Sequence, residues 1–135
     1  MTTATRSFAY DLSAYVPHQH QEPFHLSTAR FRLLACGRRW GKDRACEYEV
    51  ERLIPKLIER NEGRGLVPPV LIWCVAPTYP LAEQMWMELK TFMPKGFVTD
   101  ASETEKRLRC LGGVEVWMKT ASDPEKLVGA GLDVL

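Results

Sequence analysis

The sequence is poor in the features that mark several protein classes. Four cysteines (Cys36, Cys46, Cys74, Cys110) lie among 135 residues with no C-x-x-C pair, so a disulfide framework or thiolate metal site has no pattern to rest on. The formal net charge is only +1. No global positive field draws in nucleic acid or anionic membrane, and any such contact must come from a local patch. No apolar run is long enough to span a membrane. The opening "MTTATRSFAYDLSAYV" lacks the apolar core of a secretory signal. Only three histidines occur, His18, His20 and His25. They share one short segment without further ligands, and read as solvated loop residues rather than a metal site. Internal repeats, low-complexity tracts and any readable Ser/His/Asp or Cys/His arrangement are missing too.

What is present fits a globular protein. Hydrophobic residues make up 45% and charged residues 26% of the chain, enough for one domain, or part of a larger one, with a real core. The cysteines read as reduced core residues of a cytosolic protein. Residues 1–29 are polar, carry Pro17 and Pro23, and form an irregular lead-in. "RFRLLAC" (residues 30–36) reads as a strand entering a buried sheet. Cys46, Val50, Leu53, Ile54, Leu57 and Ile58 then recur at helical spacing. Pro55 is expected to break or kink that helix near Ile54, and "NEGRG" and Pro68-Pro69 to end it.

"VLIWCVA" (residues 70–76) is a short continuous apolar run between prolines, the mark of a strand buried on both faces. A helix follows, with Pro80 in its first turn and an inward stripe of Leu81, Met85, Trp86, Leu89 and Phe92. In "RLRCLGGVEVWMK", Leu108 and Cys110, then Val114, Val116 and Met118, alternate about Gly112-Gly113, a hairpin signal. Trp73, Trp86 and Trp117 fall on core elements. "SDPEKLVGAGLD" offers a short helix, begun by Asp123 and Glu125, and a glycine-rich turn. The order strand, loop, helix, strand, helix predicts an α/β fold: a mainly parallel sheet flanked by helices, plus an antiparallel hairpin. The closing "GLDVL" looks like the start of an apolar strand, so the domain is expected to be incomplete.

The stretch "ACGRRWGKDRA" carries the chemistry. It approaches G-x-x-x-x-G-K-[ST], the phosphate-binding loop between a strand and a helix. Cys36 holds the first position, Gly37 the second, and Gly41-Lys42 the G-K pair. Backbone amides at the helix start would face the phosphates, where the dipole favours anions. Gly41 would permit close approach, Lys42 would set an ammonium on the outer phosphates, and Arg38 and Arg39 would add charge. Asp43 stands where a hydroxyl normally ligates Mg²⁺. A carboxylate is also a legitimate Mg²⁺ ligand. It repels phosphate as well: like charges ~4 Å apart cost about 1 kcal/mol in water and about 4 kcal/mol near a protein surface. The alternative is a basic turn with Lys42 solvated. Trp40 reads as packing on the following helix or as an aromatic contact.

Together, "RFRLLACGRRWGKD", "VAPTYPLAEQMWMELK" and "SDPEKLVGAGLD" resemble, in order and spacing, the N-terminal ATPase region of the large terminase subunits of tailed bacteriophages, over about residues 17–135. The resemblance implies a P-loop NTPase fold of the additional-strand type, ATP and Mg²⁺ as cofactors, and a motor that drives double-stranded DNA into a procapsid. It implies that Lys42 binds phosphate, that Arg38 (or Arg39) approaches the γ-phosphate, and that Gln21 (or Gln19) reads adenine. Residues 76–79, "APTY", would couple nucleotide state to DNA contact. Partners would be DNA, the portal protein and the small terminase subunit, with a homo-oligomeric ring in the full protein and no membrane. The place of action would be the cytoplasm of the infected host, at the procapsid portal. Residues 30–135 would be the front half of the ATPase domain, ending before its acidic Walker B strand; the catalytic acids and a following nuclease domain are not in the sequence. The fragment is therefore expected to bind ATP without turning it over. The competing reading is a non-catalytic remnant or interaction module that binds portal, small subunit or DNA without nucleotide.

Overall fold

The apolar run "VLIWCVA" forms strand β1 (Val70–Ala76), and its partner is the second arm of the expected hairpin. The computed structural model describes residues 15–65 and 69–135. The start of the lead-in and Pro68 lie outside the described residues.

Strands β2 (Val98–Ser102), β3 (Arg107–Cys110) and β4 (Val114–Thr120) follow β1 in the chain. The spatial order is β1-β4-β3-β2. β1 runs parallel to β4, from Val70 opposite Val114 to Ala76 opposite Thr120. β3 pairs antiparallel with both β4 and β2. The sheet is therefore mixed, not mainly parallel: one parallel pair and two antiparallel pairs. The hairpin signal about Gly112-Gly113 is borne out. β2 has no counterpart in the sequence expectations. Its "VTDAS" lies mostly exposed at the sheet edge, so no apolar alternation marks it.

The expected strand over residues 30–36 does not form. The segment joins no sheet, and Phe31 and Leu33 are exposed at 83% and 92%. Its apolar composition resembles that of a strand buried on both faces, but on the edge of β1 away from β4 it is residues 133–134 that pair, along Leu71–Trp73. Trp73 N donates to Val134 O at 3.0 Å, and Asp133 N to Leu71 O at 3.0 Å. The expected strand start at "GLDVL" is a single parallel bridge, Ile72 to Val134.

Helix α1 is one short turn (Glu22–Leu26), α2 runs Lys42–Gly63, and α3 runs Tyr79–Phe92. α2 continues through Pro55. A helix-interior proline costs about 3 kcal/mol. Ile54, Leu57 and Ile58, buried on either side, each contribute roughly 1.5–3 kcal/mol against it. The α3 stripe is Ala82, Trp86 and Leu89, with Met85 partly buried, whereas Leu81 and Phe92 are 46% and 42% exposed. These side chains meet Val70 and Ile72 of β1, Val114 and Val116 of β4 and Leu108 of β3 in one core. "PEKL" forms a short 3-10 turn (Pro124–Leu127), as expected.

Gly112 sits under α2. Its φ is +65°, and an added Cβ would lie 2.6 Å from Ile58 Cγ2. Asn61, fully buried, donates from Nδ2 to Gly112 O at 2.7 Å. Cys110 is buried, but Cys36 and Cys74 are only partly covered, and Cys46 is exposed, contrary to expectation. The first half of α2 turns Glu47 and Glu51 inward instead. Burial pushes the thiols of Cys74 and Cys110 up to about 12, a direction that disfavours the thiolate.

Candidate functional site

The candidate site lies where the lead-in meets the start of α2. A carboxylate hub fastens the two together. Glu49, on α2, is buried, with Oε1 2.6 Å from His25 Nδ1. Its Oε2 accepts from Arg32 Nη1 and Arg52 Nη2, both at 2.9 Å. Burial alone would raise its carboxyl, but the hydrogen bonds from His25, Arg52 and Arg32 outweigh burial and hold it below the usual range. Arg32 Nη1 also donates to Phe24 O, and Arg52 Nη2 to His25 O. His25 is thus buried in an ionic cluster, not solvated as its position in a polar segment suggests. Spacing gave no sign of this, because its partner lies 24 residues on.

Upstream, the lead-in holds the back of the turn over residues 37–41. Gln21, 4% exposed, donates from Nε2 to Trp40 O at 3.2 Å and Gly41 O at 3.3 Å. Its Oε1 accepts from His18 N at 3.1 Å. His18 Nε2 lies 3.1 Å from Trp40 O, and its ring meets the Trp40 ring edge-on at 5.2 Å. Trp40 thus has its ring contact with the lead-in. His18 is exposed, in keeping with its reading as a solvated loop histidine, yet it touches the turn, which spacing does not show; its neighbour His20 is exposed and bonded to Gln19 at 3.2 Å.

The turn itself is shaped by two left-handed residues. Arg39 has φ +62°, and Gly41, the residue before α2, has φ +83°. At Gly41 an added Cβ would also meet the mobile end of Gln21, Nε2, at 2.9 Å, but it is the left-handed backbone that favours glycine there. Gly37 has open space around it and no such demand.

The α2 start carries no side-chain cap, and its first amide bonded to the turn is Ala45 N, to Gly41 O at 3.0 Å. Among the described residues, the amides of Lys42, Asp43 and Arg44 have no protein acceptor. A helix of this length places positive potential there. Arg38, Arg39, Lys42 and Asp43 are all exposed. Arg38, Arg39 and Lys42 form no ion pair among the described residues, whereas Arg44, Arg52 and Arg60 each hold a carboxylate. The structure thus brings Gln21, Trp40 and Gly41 together and leaves three cations and free amides facing solvent on one turn.

Inside the same end of α2 lies Glu47, 4% exposed, with neither carboxyl oxygen hydrogen-bonded. Burial, aided by the facing Glu88 and opposed by Arg44 3.7 Å away, pushes it up to about 8. No group of three or more metal-ligating side chains occurs among the described residues. Asp43 fits Mg²⁺ only as a single carboxylate beside phosphate and water oxygens, the usual way this ion is held.

A mixed α/β sheet beside a basic, glycine-bearing turn at an uncapped helix start defines an α/β protein with a candidate anion site. No family model matches the chain, and no solved structure matches it. It is similar to the large terminase subunits of Thermus phage G20c and Thermus virus P23-45. Identity to each is 29% over 144 aligned residues, covering 92% of this chain and 28% of the relative. These relatives bear out the resemblance to large terminase subunits. The chain spans 28% of the length of the curated relatives it matches.

Proposed function

We propose that residues 37–43 bind the polyphosphate tail of Mg-ATP, and that the chain is the ATP-binding part of a terminase-type motor. In this reading the whole protein couples ATP hydrolysis to translocation of double-stranded DNA into a procapsid. It works as a homo-oligomeric ring with the portal protein and small terminase subunit, at the procapsid portal in the host cytoplasm. One observation supports the reading: among the described residues, Arg38, Arg39 and Lys42 have no carboxylate partner and share an exposed turn with unbonded amides at the start of α2.

The roles follow from charge and reach. The amides and Gly41 take the inner phosphates, Lys42 the outer ones, and Arg38 or Arg39 the terminal phosphoryl oxygens. Asp43 holds Mg²⁺, whose charge offsets the repulsion between this carboxylate and the phosphates. Such a site gains by positioning and electrostatics rather than covalent chemistry.

Thermal unfolding with and without Mg-ATP tests this. At about 100 times the dissociation constant, the nucleotide should add roughly 2.7 kcal/mol. Lys42→Ala should abolish the gain. Asp43→Ala should weaken Mg-ATP while leaving metal-free tripolyphosphate equal or tighter. No shift at millimolar Mg-ATP would favour the second reading, an interaction module that works without nucleotide.

A further inference from the structure

We infer that α2 is a two-part lever: its first half, with the lead-in fastened to it, detaches from α3 about Pro55 when the Glu47 carboxyl gives up its proton. The inference does not depend on what the turn over residues 37–43 binds.

The hinge is written into the helix. Pro55 stands in the interior of α2. It has no N–H to bond the carbonyl four residues back, that of Glu51, and helices bend at such points. The ladder is therefore weakest between the two halves. The contacts that fasten the lead-in all lie ahead of this gap: Glu49 holds His25 and Arg32, and Arg52 donates to His25 O. The residues that seat α2 on the sheet gather around and beyond it. Ile54, Leu57 and Ile58 belong to the core, joined from the first half by Val50 and the partly buried Leu53.

The trigger lies where the first half meets α3. There the Arg44 guanidinium stands 4.1 Å from the Phe92 ring, and Glu47 faces Glu88. Glu47 is 4% exposed, and neither of its carboxyl oxygens has a hydrogen-bond partner. The charged or titratable groups facing it are Arg44, Cys46 and Glu51 of α2, Glu88 of α3 and Cys74 of β1. Among these, Arg44 is the one cation. It lies 3.7 Å from Glu47 but 2.8 Å from Glu51, which is also buried. One guanidinium thus serves two buried carboxyls, with Glu88 opposite. A second carboxylate ion here has no donor to replace the water it loses. Neutral Glu47 fits the joint. Charged Glu47 is accommodated by reaching water, and the gap at Pro55 is where the helix yields.

The sign follows from the proton count. Burial pushes the Glu47 carboxyl up to about 8 in the closed joint, whereas in water it returns to the ordinary carboxylate range. Opening therefore releases a proton. The open fraction grows as pH rises from about 5 to about 8 and levels off above that.

Native-state hydrogen exchange of the full chain, corrected for the chemical exchange rate, tests this. A first half of α2 freed from α3 is too short a helix to persist in water, so opening exposes its amides. Between pH 6 and 8, protection over residues 46–54 should fall by about tenfold or more. At both pH values it should stay below that of residues 58–63 and of β1 and β4. Glu47→Gln, which keeps the shape without the charge, should remove the fall, and Glu47→Met should do the same. Pro55→Ala restores an N–H to Glu51 O and should raise first-half protection at pH 8 by about threefold or more. One common protection over both halves and the sheet would show that Glu47 deprotonates only as the whole domain unfolds, and would overturn the inference. Protection that is flat with pH in the unaltered chain would overturn it too, because Arg44 would then neutralise the carboxylate in place. The same holds for a fall that survives Glu47→Gln, or for first-half protection that Pro55→Ala leaves unchanged.

Discussion

The two halves of α2 live in different chemistries. Its second half presses Ile54, Leu57 and Ile58 into the apolar core over the β3–β4 turn. Its first half buries Glu47, Glu49 and Glu51 among arginines and a histidine of the lead-in. The apolar half is held by burial and close packing, which are insensitive to protons and salt. The ionic half is held by pairs whose desolvation nearly cancels their attraction. Its stability therefore depends on complete pairing and on pH. The half that fixes the fold and the half that carries the candidate site can be perturbed separately.

The largest effect is expected in the apolar half. Gly112→Ala would force a Cβ into Ile58 and a left-handed backbone at once, costing about 3 kcal/mol. Urea unfolding should show a lowered midpoint, with the lead-in released from α2 only when the whole domain unfolds. A change under about 1 kcal/mol would mean that α2 is not seated on this turn as described. Next, Glu49→Ala would leave His25, Arg32 and Arg52 without their acceptor. The arginine side chains are 23% and 36% exposed, which discounts the loss to about 2 kcal/mol. Limited proteolysis should cut residues 15–41 faster while the sheet stays protected; unchanged cleavage would refute the hub.

Protons give a smaller effect, of opposite sign at two residues. Glu49 sits below its ordinary value in the folded protein. Its contribution is present above the unfolded value and lost as pH falls through the folded one. Glu47 is raised from 4.5 to about 8. Its contribution is present below the unfolded value and lost as pH rises towards 8. Glu47→Gln, which removes the titrating group, should therefore stabilise the protein at pH 8.5 by at least about 1 kcal/mol. It should also flatten the decline between pH 5 and 8. Denaturation curves at the two pH values decide; an unaltered slope would show that Glu47 is not the group responsible.

The legible parts of this protein are those held by local pattern. "VLIWCVA" and the Gly112-Gly113 hairpin declared themselves because burial and turn chemistry act within a few residues. The α2 region declared itself only in part. Its apolar spacing marks a helix, yet Cys46 is exposed and Glu47 buried, facing Glu88 of α3 and Arg44 of its own helix. "RFRLLAC" has the composition of a strand, but composition does not name a pairing partner, and residues 133–134 rather than 30–36 lie along β1. In the candidate site, Gly41, Lys42 and the arginines were readable from spacing. The engagement of Gln21 and His18 with the back of the turn was not, since contacts across about twenty residues leave no periodic trace.

Arg39 carries one further consequence. Its φ of +62° is a conformation that glycine adopts freely and that costs another residue about 1 kcal/mol. An arginine kept there trades robustness for a guanidinium at the surface. Arg39→Gly should raise the melting free energy by roughly 0.5–1 kcal/mol while weakening polyphosphate binding, measurable as a higher melting temperature paired with a larger dissociation constant. A variant that gained nothing in stability would show that the turn bears no such tension. One that gained stability at full affinity would show that the side chain is idle.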